Sequence, residues 1–257
     1  MTYQPERPPA DELVISVLLM LLVCLLWFRA CEGGVHVVQT SNIIWYGSGY
    51  ATFSSPVTAG DMIVASFTYI SHDIDSVKTK HTKLTKNVNA HPIDATNGMY
   101  CLISDTVETV TGMDTVFFWT SSPDGYLYIY DVSPCKYAQA ISAATTGANL
   151  NAGSITTSSD SCAAFYVSLQ SDGSGSGCVT VPVGWTGGTQ SGGPYDGAMQ
   201  YKIVHPAGTV NGVETTTGGC SGSHPYVSAM MTFNPLASIT HSHRSYFNPN
   251  RQGFGFK

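Results

Sequence analysis

Residues 115–132 read TVFFWTSSPDGYLYIYDV, and this stretch carries the clearest fold signal in the chain. Residues 115–120 and 126–132 are rich in aromatic and β-branched side chains, which favour β-strands. The Pro-Asp-Gly of residues 123–125 is typical of a tight turn between two strands. The stretch therefore predicts a β-hairpin.

Short segments of the same kind recur on both sides of this stretch. Gly, Asn, Asp and Pro separate them, and no segment beyond residue 30 has the periodicity of an amphipathic helix. The pattern predicts an all-β chain, a two-sheet antiparallel β-sandwich of the jelly-roll or immunoglobulin-like type, preceded by one N-terminal hydrophobic helix. The predicted strands are residues 35–40, 42–53, 62–70, 99–104, 115–120, 126–132, 154–157, 161–169, 179–183, 198–205 and 226–233.

The polar residues 76–86 (SVKTKHTKLTK) alternate lysine with small or polar side chains, which predicts an exposed edge strand guarded by charge. The whole pattern divides the chain into four regions. They are a Pro-rich arm (1–12), a hydrophobic, transmembrane helix (13–30), a β-sandwich domain (34–237) and an extended tail (238–257).

The apolar residues 13–28 (LVISVLLMLLVCLLWF) contain no charge, Gly or Pro. A helix of this length spans roughly 24 Å, a little less than the roughly 30 Å hydrocarbon core of a bilayer. Three interpretations stay open: a retained membrane anchor, a cleaved signal peptide, and a helix buried in an assembly. The acidic leader and the bulky Phe28-Arg29-Ala30 favour the anchor. Its membrane-facing residues would be Leu13, Leu18, Leu22, Leu26, Trp27 and Phe28.

Charged residues make up 11% of the chain and its net charge is −6. The net negative charge, without a basic run and with no lysine before Lys78, disfavours nucleic acid as a partner. Low charge with abundant Ser, Thr and Gly is typical of extracytoplasmic proteins. The predicted location of the β domain is therefore periplasmic, extracellular or on a virion surface, next to the membrane that holds residues 13–28.

Six of the seven cysteines follow the apolar segment, which fits an oxidising compartment. The favoured disulfide pairs are Cys101 with Cys135 and Cys162 with Cys178, because each closes a short loop between predicted strands. Buried thiols are the alternative.

No residue pattern predicts a catalytic centre, a metal site or a cofactor. Asp73 and Asp75 could share a face and hold calcium, but the full series of ligands that a calcium loop needs is missing. There is no GxSxG motif, and the Gly-rich residues 184–193 lack the lysine of a phosphate-binding loop. The sequence therefore predicts a protein that is not an enzyme.

Aromatic residues supply the predicted partner contacts. Tyr126, Tyr128 and Tyr130 are two residues apart and so share one strand face. Such a row either covers a half-buried sheet or forms an exposed platform for proteins or sugar rings. The predicted contact residues are this row and the tail aromatics Tyr246, Phe247, Phe254 and Phe256.

The order of several strand motifs resembles a β-sandwich module of bacterial secreted and surface proteins and of some phage particles. The motifs are VTAGDMIVASFTY (57–69), DTVFFWTSSPDGYLYIYDV (114–132), AGSITTSSDSCAAFYVSL (152–169), GAMQYKIVHPAGTV (197–210) and YVSAMMTFNP (226–235). The resemblance implies an adhesive, spacer or carbohydrate-facing unit rather than an enzyme. The extra cysteines, the lysine-rich strand, the apolar segment and the tail depart from that family.

These observations favour a non-catalytic structural or attachment subunit, anchored in a membrane and docked onto other protein subunits of a larger assembly. That assembly would be a membrane complex, a surface appendage or a virion. A carbohydrate-binding or adhesion module, with glycans as partners, is the alternative. A secreted hydrolase is the third hypothesis.

Overall fold

The computed structural model of the chain describes residues 34–70, 74–90, 99–112, 114–121, 125–147, 149–171, 179–192, 195–216 and 224–236. Sixteen strands form in these residues, every strand pairing among them is antiparallel, and the described ranges contain no helix. The prediction of an all-β, antiparallel chain is confirmed. The predicted arm, hydrophobic helix and tail lie outside the described residues. Within the described ranges, no helix has the length and apolar character needed to cross a bilayer.

The first eight strands form one unit. An inner sheet has the order β1-β8-β3-β6-β5, and a smaller outer sheet has the order β2-β7-β4. The strands are β1 (Val37–Trp45), β2 (Gly49–Thr52), β3 (Met62–Ile70), β4 (Ile74–Lys78), β5 (Thr85–Ala90), β6 (Met99–Val107), β7 (Thr115–Thr120) and β8 (Gly125–Val132).

The first unit is built from nested strand pairs. Strand β1 pairs with β8, β2 with β7 and β3 with β6, while β4 and β5 meet at a bridge between Lys78 and Lys83. Each pair is thus enclosed by the pair before it along the chain. Additional pairing of β8 with β3 and of β7 with β4 completes the two sheets. This nesting across two packed sheets is the jelly-roll arrangement.

The second eight strands repeat this arrangement. The inner sheet has the order β13-β14-β11-β16-β9 and the outer sheet the order β10-β15-β12, which is the first unit's order shifted by eight strands. The strands are β9 (Cys135–Gly147), β10 (Asn149–Thr156), β11 (Cys162–Ser171), β12 (Val179–Thr180), β13 (Thr186–Gly192), β14 (Tyr195–Val204), β15 (Thr209–Thr216) and β16 (His224–Pro235).

The described residues between 34 and 236 therefore form four sheets instead of the two that the sequence predicted. The predicted hairpin of residues 115–132 is wrong as well. Strand β7 lies in the first outer sheet between β2 and β4, whereas β8 lies in the first inner sheet between β1 and β3. A local turn signal does not reveal which sheet each flanking strand joins.

Three apolar layers hold the four sheets together. The first outer core lies between the sheets of the first unit and includes Trp45, Phe67 and Phe118. The middle core lies between the two inner sheets and includes Tyr130 and Phe165. Two smaller clusters fill the second unit beneath its outer sheet. Each inner sheet is apolar on both faces, which explains why β3 and β11 are buried along almost their whole length.

The two inner sheets pack with a pseudo-two-fold relationship. Strand β3 contacts β11, its own counterpart, while β6 contacts β16 and β14 contacts β3. The Tyr130 ring on β8 lies 5.7 Å from the Tyr201 ring on β14. Strand β14 is the counterpart of β6, and β16 is the counterpart of β8, so this contact mirrors the one between β6 and β16. Exchange of equivalent surfaces in this way defines an isologous interface. The chain is therefore a fused pair of jelly rolls joined through their larger sheets.

Candidate functional site

The first outer sheet places aromatic side chains on its solvent-facing surface. Strand β7 alternates, so that Val116 and Phe118 point into the first outer core and are 0% and 1% exposed. Phe117 and Trp119 take the opposite face, where the exposed fraction of Trp119 is 39%. No further sheet covers this face in the described structure, because β2-β7-β4 is the outermost layer of its unit.

Tyr50, Phe117 and Trp119 form a continuous line on this face, which we call the aromatic row. Tyr50 lies directly opposite Phe117 in the strand register, and their ring centroids are 6.0 Å apart. The Phe117 and Trp119 centroids are 6.3 Å apart with the ring planes inclined by 28°. The exposed fraction of Tyr50 is 60%. A contiguous exposed aromatic patch of this kind is uncommon on a surface that contacts water alone.

Lys78 adds a positive charge to the row. It lies opposite Phe117 on β4, and its Nζ atom is 4.7 Å from the centroid of the Trp119 ring. This is within the range of a cation–π interaction. The contact holds the ammonium group against the aromatic row while Lys78 stays exposed.

Three more exposed lysines follow Lys78 in the connection from β4 to β5. We call residues 74–90 the lysine hairpin: it contains Lys78, Lys80, Lys83 and Lys86, and Asp75 is its one carboxylate. The two strands splay apart, because β4 joins the outer sheet and β5 joins the inner sheet. Between them lies a cleft of about 510 Å³, lined by Asp75, Ser76, Val77, Lys83, Leu84, Thr85 and Lys86.

The single edge strand predicted for residues 76–86 is wrong, because β4 ends at Lys78 and β5 begins at Thr85, but the lysines of the segment are exposed as predicted. Strand β4 is an edge of the outer sheet and β5 an edge of the inner sheet, so the segment supplies two edges joined by a turn. Thr79 closes that turn by accepting hydrogen bonds at Oγ1 from the amides of His81 and Thr82, at 3.1 and 2.9 Å. Lys86 Nζ donates to the carbonyl oxygen of Ile74 and so ties β5 back to β4.

Two pairs of carboxyl groups are buried near one end of the first outer core. In the first pair, Asp131 is 0% exposed and Asp61 is 6% exposed. Gln39 Nε2 donates to Asp131 Oδ2 at 3.0 Å. Burial, together with the charge of the neighbouring Asp61, raises the pKa of Asp131 to about 6, although the hydrogen bond from Gln39 acts to lower it. Burial also raises the pKa of Asp61.

Glu108 and Asp114 make the second pair and are 1% and 2% exposed. Burial, together with the hydrogen bond and charge of Glu108, raises the pKa of Asp114 to about 6. Burial also acts to raise the pKa of Glu108. Its hydrogen bonds, of which the one with Asp114 has the largest effect, outweigh burial and lower this pKa. Glu108 Oε2 and Asp114 Oδ2 accept no other hydrogen bond. A proton carried by Asp114 and shared with Glu108 accounts for both observations.

The buried carboxyl pairs do not form an open site. Their side chains are buried, so a substrate has no access to the oxygens in this structure. In the second pair, backbone amides donate hydrogen bonds to one oxygen of each carboxyl group. Thr109 and Val110 donate to Glu108 Oε1 at 2.8 and 3.1 Å, and Thr115 donates to Asp114 Oδ1 at 2.6 Å. The pairs therefore fix loops at the end of the first unit. In the described part of the chain, no group of three or more His, Cys, Asp or Glu side chains is arranged to hold a metal ion.

The predicted tyrosine row lies in the middle core. Tyr126, Tyr128 and Tyr130 do share one strand face, as the alternation predicts, and that face packs against the second unit. Tyr130 is 1% exposed, which leaves it no surface for an external partner. The sequence did not predict the aromatic row on β2 and β7. Tyr50 and Phe117 are far apart in the chain, and the pairing of β2 with β7 makes them neighbours.

Cys101 and Cys135 are not joined by a disulfide, so this predicted pair is wrong. Both thiols are buried in the middle core, where Cys101 Sγ donates to the carbonyl oxygen of Val227 at 3.5 Å. Burial raises the pKa of Cys135 to about 12. Cys162 is likewise a buried thiol, and its Sγ lies 2.8 Å from the carbonyl oxygen of Ser159.

Several predicted site residues lie outside the described residues: Cys178, Asp73, the tail aromatics Tyr246, Phe247, Phe254 and Phe256, and the predicted anchor residues Leu13, Leu18, Leu22, Leu26, Trp27 and Phe28. Those assignments stay predictions. Comparison of the chain with protein-family models, with curated proteins and with solved structures found no match.

Proposed function

We propose that the chain is a non-catalytic structural or attachment subunit, a membrane-anchored extracytoplasmic β protein that docks onto a larger assembly. The observation that carries this proposal is the fused pair of jelly rolls, which closes three cores and leaves an aromatic face uncovered. Its buried carboxyl groups are committed to loop contacts. The apolar residues 13–28 would tether this body, because a helix of that length approaches the thickness of the hydrocarbon core.

Membrane flotation tests the anchored state. The full-length chain, expressed in a bacterial host, is compared with a variant that lacks residues 13–28. We expect the full-length chain to float with the membrane vesicles and the variant to stay in the dense fraction with an unchanged β-sheet circular dichroism spectrum. A mature chain that begins after Ala30 and stays in the dense fraction as a monomer would overturn the proposal.

Docking onto other subunits is tested through the tail. We expect the double substitution Phe254→Gly and Phe256→Gly to reduce co-purification of partner subunits with the full-length chain. Phe117→Gly is not a suitable control, since that residue belongs to the aromatic row. Tyr46→Gly, at an 82% exposed turn residue, is the matched control and should leave co-purification unchanged. Equal co-purification of all three proteins contradicts a docking role for the tail.

The exposed aromatic row favours carbohydrate binding as a second function. Aromatic rings present broad apolar surface at a sheet face, and the hydroxyl groups of Thr52 and Thr115, 3.0 Å apart, lie on the same face. Sugar rings combine apolar C–H faces with hydroxyl groups, so this surface matches their chemistry. An attachment subunit that binds a surface glycan would unite the two functions.

A further inference from the structure

We infer that the aromatic row and the lysine hairpin together form one binding surface, and that its ligand is an acidic polysaccharide bearing uronate carboxylates. This inference rests on the proposed attachment function, for which it names the ligand class and the site. The two parts of the surface meet at β4, where Lys78 lies opposite Phe117 and Ser76 lies opposite Trp119. Ser76 also lines the cleft beside Lys83, so the surface is continuous.

Local charge points to an anionic ligand. Four of the chain's seven lysines fall within residues 78–86, although the chain as a whole carries a net charge of −6. With Asp75 as the one acidic residue between 74 and 90, this segment has a net charge of about +3 from its side chains. A positive patch on an acidic protein selects for ligands whose negative charges are localised beside it.

The aromatic row favours a ligand with apolar ring faces over a simple anion. Edge protection by lysine explains charges on β4 and β5, but it does not explain exposed rings on β2 and β7. Tyr50 and Trp119 offer apolar surface to the C–H faces of sugar rings, while the Lys78 ammonium stands beside Trp119 where a ring carboxylate can pair with it. Lys78 thus connects the aromatic row with the lysine hairpin.

A duplex or single-stranded nucleic acid fits the surface less well. Nucleic acids carry a phosphate at every nucleotide, and proteins that bind them present extended basic stripes in which arginine is prominent. All four arginines of this chain lie outside the described residues, and the described lysines beyond the hairpin are Lys136 and Lys202. A polymer with apolar ring faces and carboxylates matches the mixed aromatic and lysine surface better.

The test measures binding of the full-length chain in detergent to polygalacturonate, with dextran as the neutral polymer and poly(dT) as the nucleic acid, by biolayer interferometry. We expect binding to polygalacturonate that weakens as salt is added and no binding to dextran. Trp119→Ala should lower the affinity about tenfold and Lys78→Gln about fivefold, whereas Lys78→Arg should keep most of it. Tyr50→Ala, at a 60% exposed position, repeats the aromatic test with little risk to folding.

The matched controls lie on the second unit. Tyr137→Ala removes a 45% exposed tyrosine on β9, and Lys136→Gln removes an exposed lysine beside it, so both should leave the affinity within about twofold of the unsubstituted chain. The inference is overturned if polygalacturonate does not bind, if the Trp119 and Tyr50 variants bind as well as the controls, or if poly(dT) binds as tightly. Failure here with intact membrane flotation would leave the attachment function standing.

Discussion

The Tyr130 ring of the first unit packs against the Phe165 ring of the second, with centroids 4.9 Å apart and ring planes inclined by 59°. Phe165 in turn lies 5.6 Å from Phe233, in an edge-to-face contact. These rings occupy the middle core, where the two inner sheets meet. The middle core is therefore the place where the stability of one unit becomes coupled to that of the other.

Phe165→Ala should destabilise the whole chain by about 3–5 kcal/mol, because it removes a ring that is 0% exposed and leaves a cavity between the units. Chemical denaturation followed by both tryptophan fluorescence and far-ultraviolet circular dichroism measures this change. We expect coincident transitions from the two probes, since both units depend on the same core. Tyr46→Ala is the control and should change the free energy of unfolding by less than about 0.5 kcal/mol. Two separated transitions in the unsubstituted chain would show that the units unfold independently.

Gly125→Ala should destabilise the chain by about 1–3 kcal/mol through overpacking. A Cβ atom at this position would lie 2.4 Å from the carbonyl oxygen of Thr68 and 2.5 Å from the Trp45 ring. Gly112→Ala is the matched control, because a Cβ atom there meets no atom within 4 Å. Thermal unfolding measures both variants. Equal melting temperatures for the two would contradict the close approach of Trp45 to the backbone of β8.

Stability should fall as the pH rises from about 4 to 7. The pKa values of Asp105, Asp114 and Asp131 are each raised by burial to about 6. The folded chain therefore holds protons that the unfolded chain releases between pH 3.8 and 6. The contribution of these protons to the free energy of unfolding is complete below pH 3.8 and is lost above about pH 6. Urea midpoints measured at pH 4, 5, 6 and 7 should decrease in that order.

Asp114→Asn should reduce this pH dependence, since it removes one of the groups whose raised pKa produces it. The asparagine amide can donate to Glu108 Oε2 at every pH, in the place of the shared proton. We expect the variant to be more stable than the unsubstituted chain at pH 7. An unchanged slope, or a loss of stability at pH 7, would argue against a shared proton between Glu108 and Asp114.

Cys101 and Cys135 should react with iodoacetamide after unfolding without prior reduction, and resist it in the folded chain. Both thiols are buried, and the raised pKa of Cys135, about 12, keeps it protonated. Peptide mapping by mass spectrometry after labelling in the presence and absence of denaturant measures the two states. Recovery of a peptide pair linked through these two residues would contradict the structure.

Strand positions were far easier to predict from the sequence than strand partners. Runs of apolar, aromatic and β-branched residues located β3, β7, β8, β11 and β16 to within a few residues, because strand composition is a local property. Pairing is not local. Residues 115–132 look like a hairpin, yet β7 and β8 enter different sheets and β8 pairs with β1 at the far end of its unit.

The duplication did leave a trace in the sequence. Strands β2 and β10 begin at Gly49 and Asn149, and β3 and β11 begin at Met62 and Cys162. The segments TVTG (109–112) and TVNG (209–212) also lie one hundred residues apart, each following the strand that pairs with β3 or β11. A comparison at this spacing, longer than that of solenoid repeats, would have predicted two units.

The candidate site was predicted in pieces. The exposure of the lysines in residues 76–86 and of some aromatic side chains follows from local sequence. Which aromatics are exposed does not, because inward and outward faces of β8 are both covered by apolar layers while β7 has a covering on one face alone. Tyr130 therefore lies in the middle core with the partly buried Tyr126 and Tyr128 packed against it, whereas Tyr50 and Trp119 are exposed.

Because the two jelly rolls belong to one polypeptide, their outer faces can carry different side chains. Where the first outer sheet carries aromatic rings, the second presents hydroxyl and amide groups, with Ser154 bonded to Asn211 at 2.7 Å and Thr156 to Thr209 at 3.2 Å. A dimer of identical chains would show the same face at both ends. The two outer faces of this molecule therefore differ in chemistry, and copies arrayed in one orientation would all present the same face on the same side.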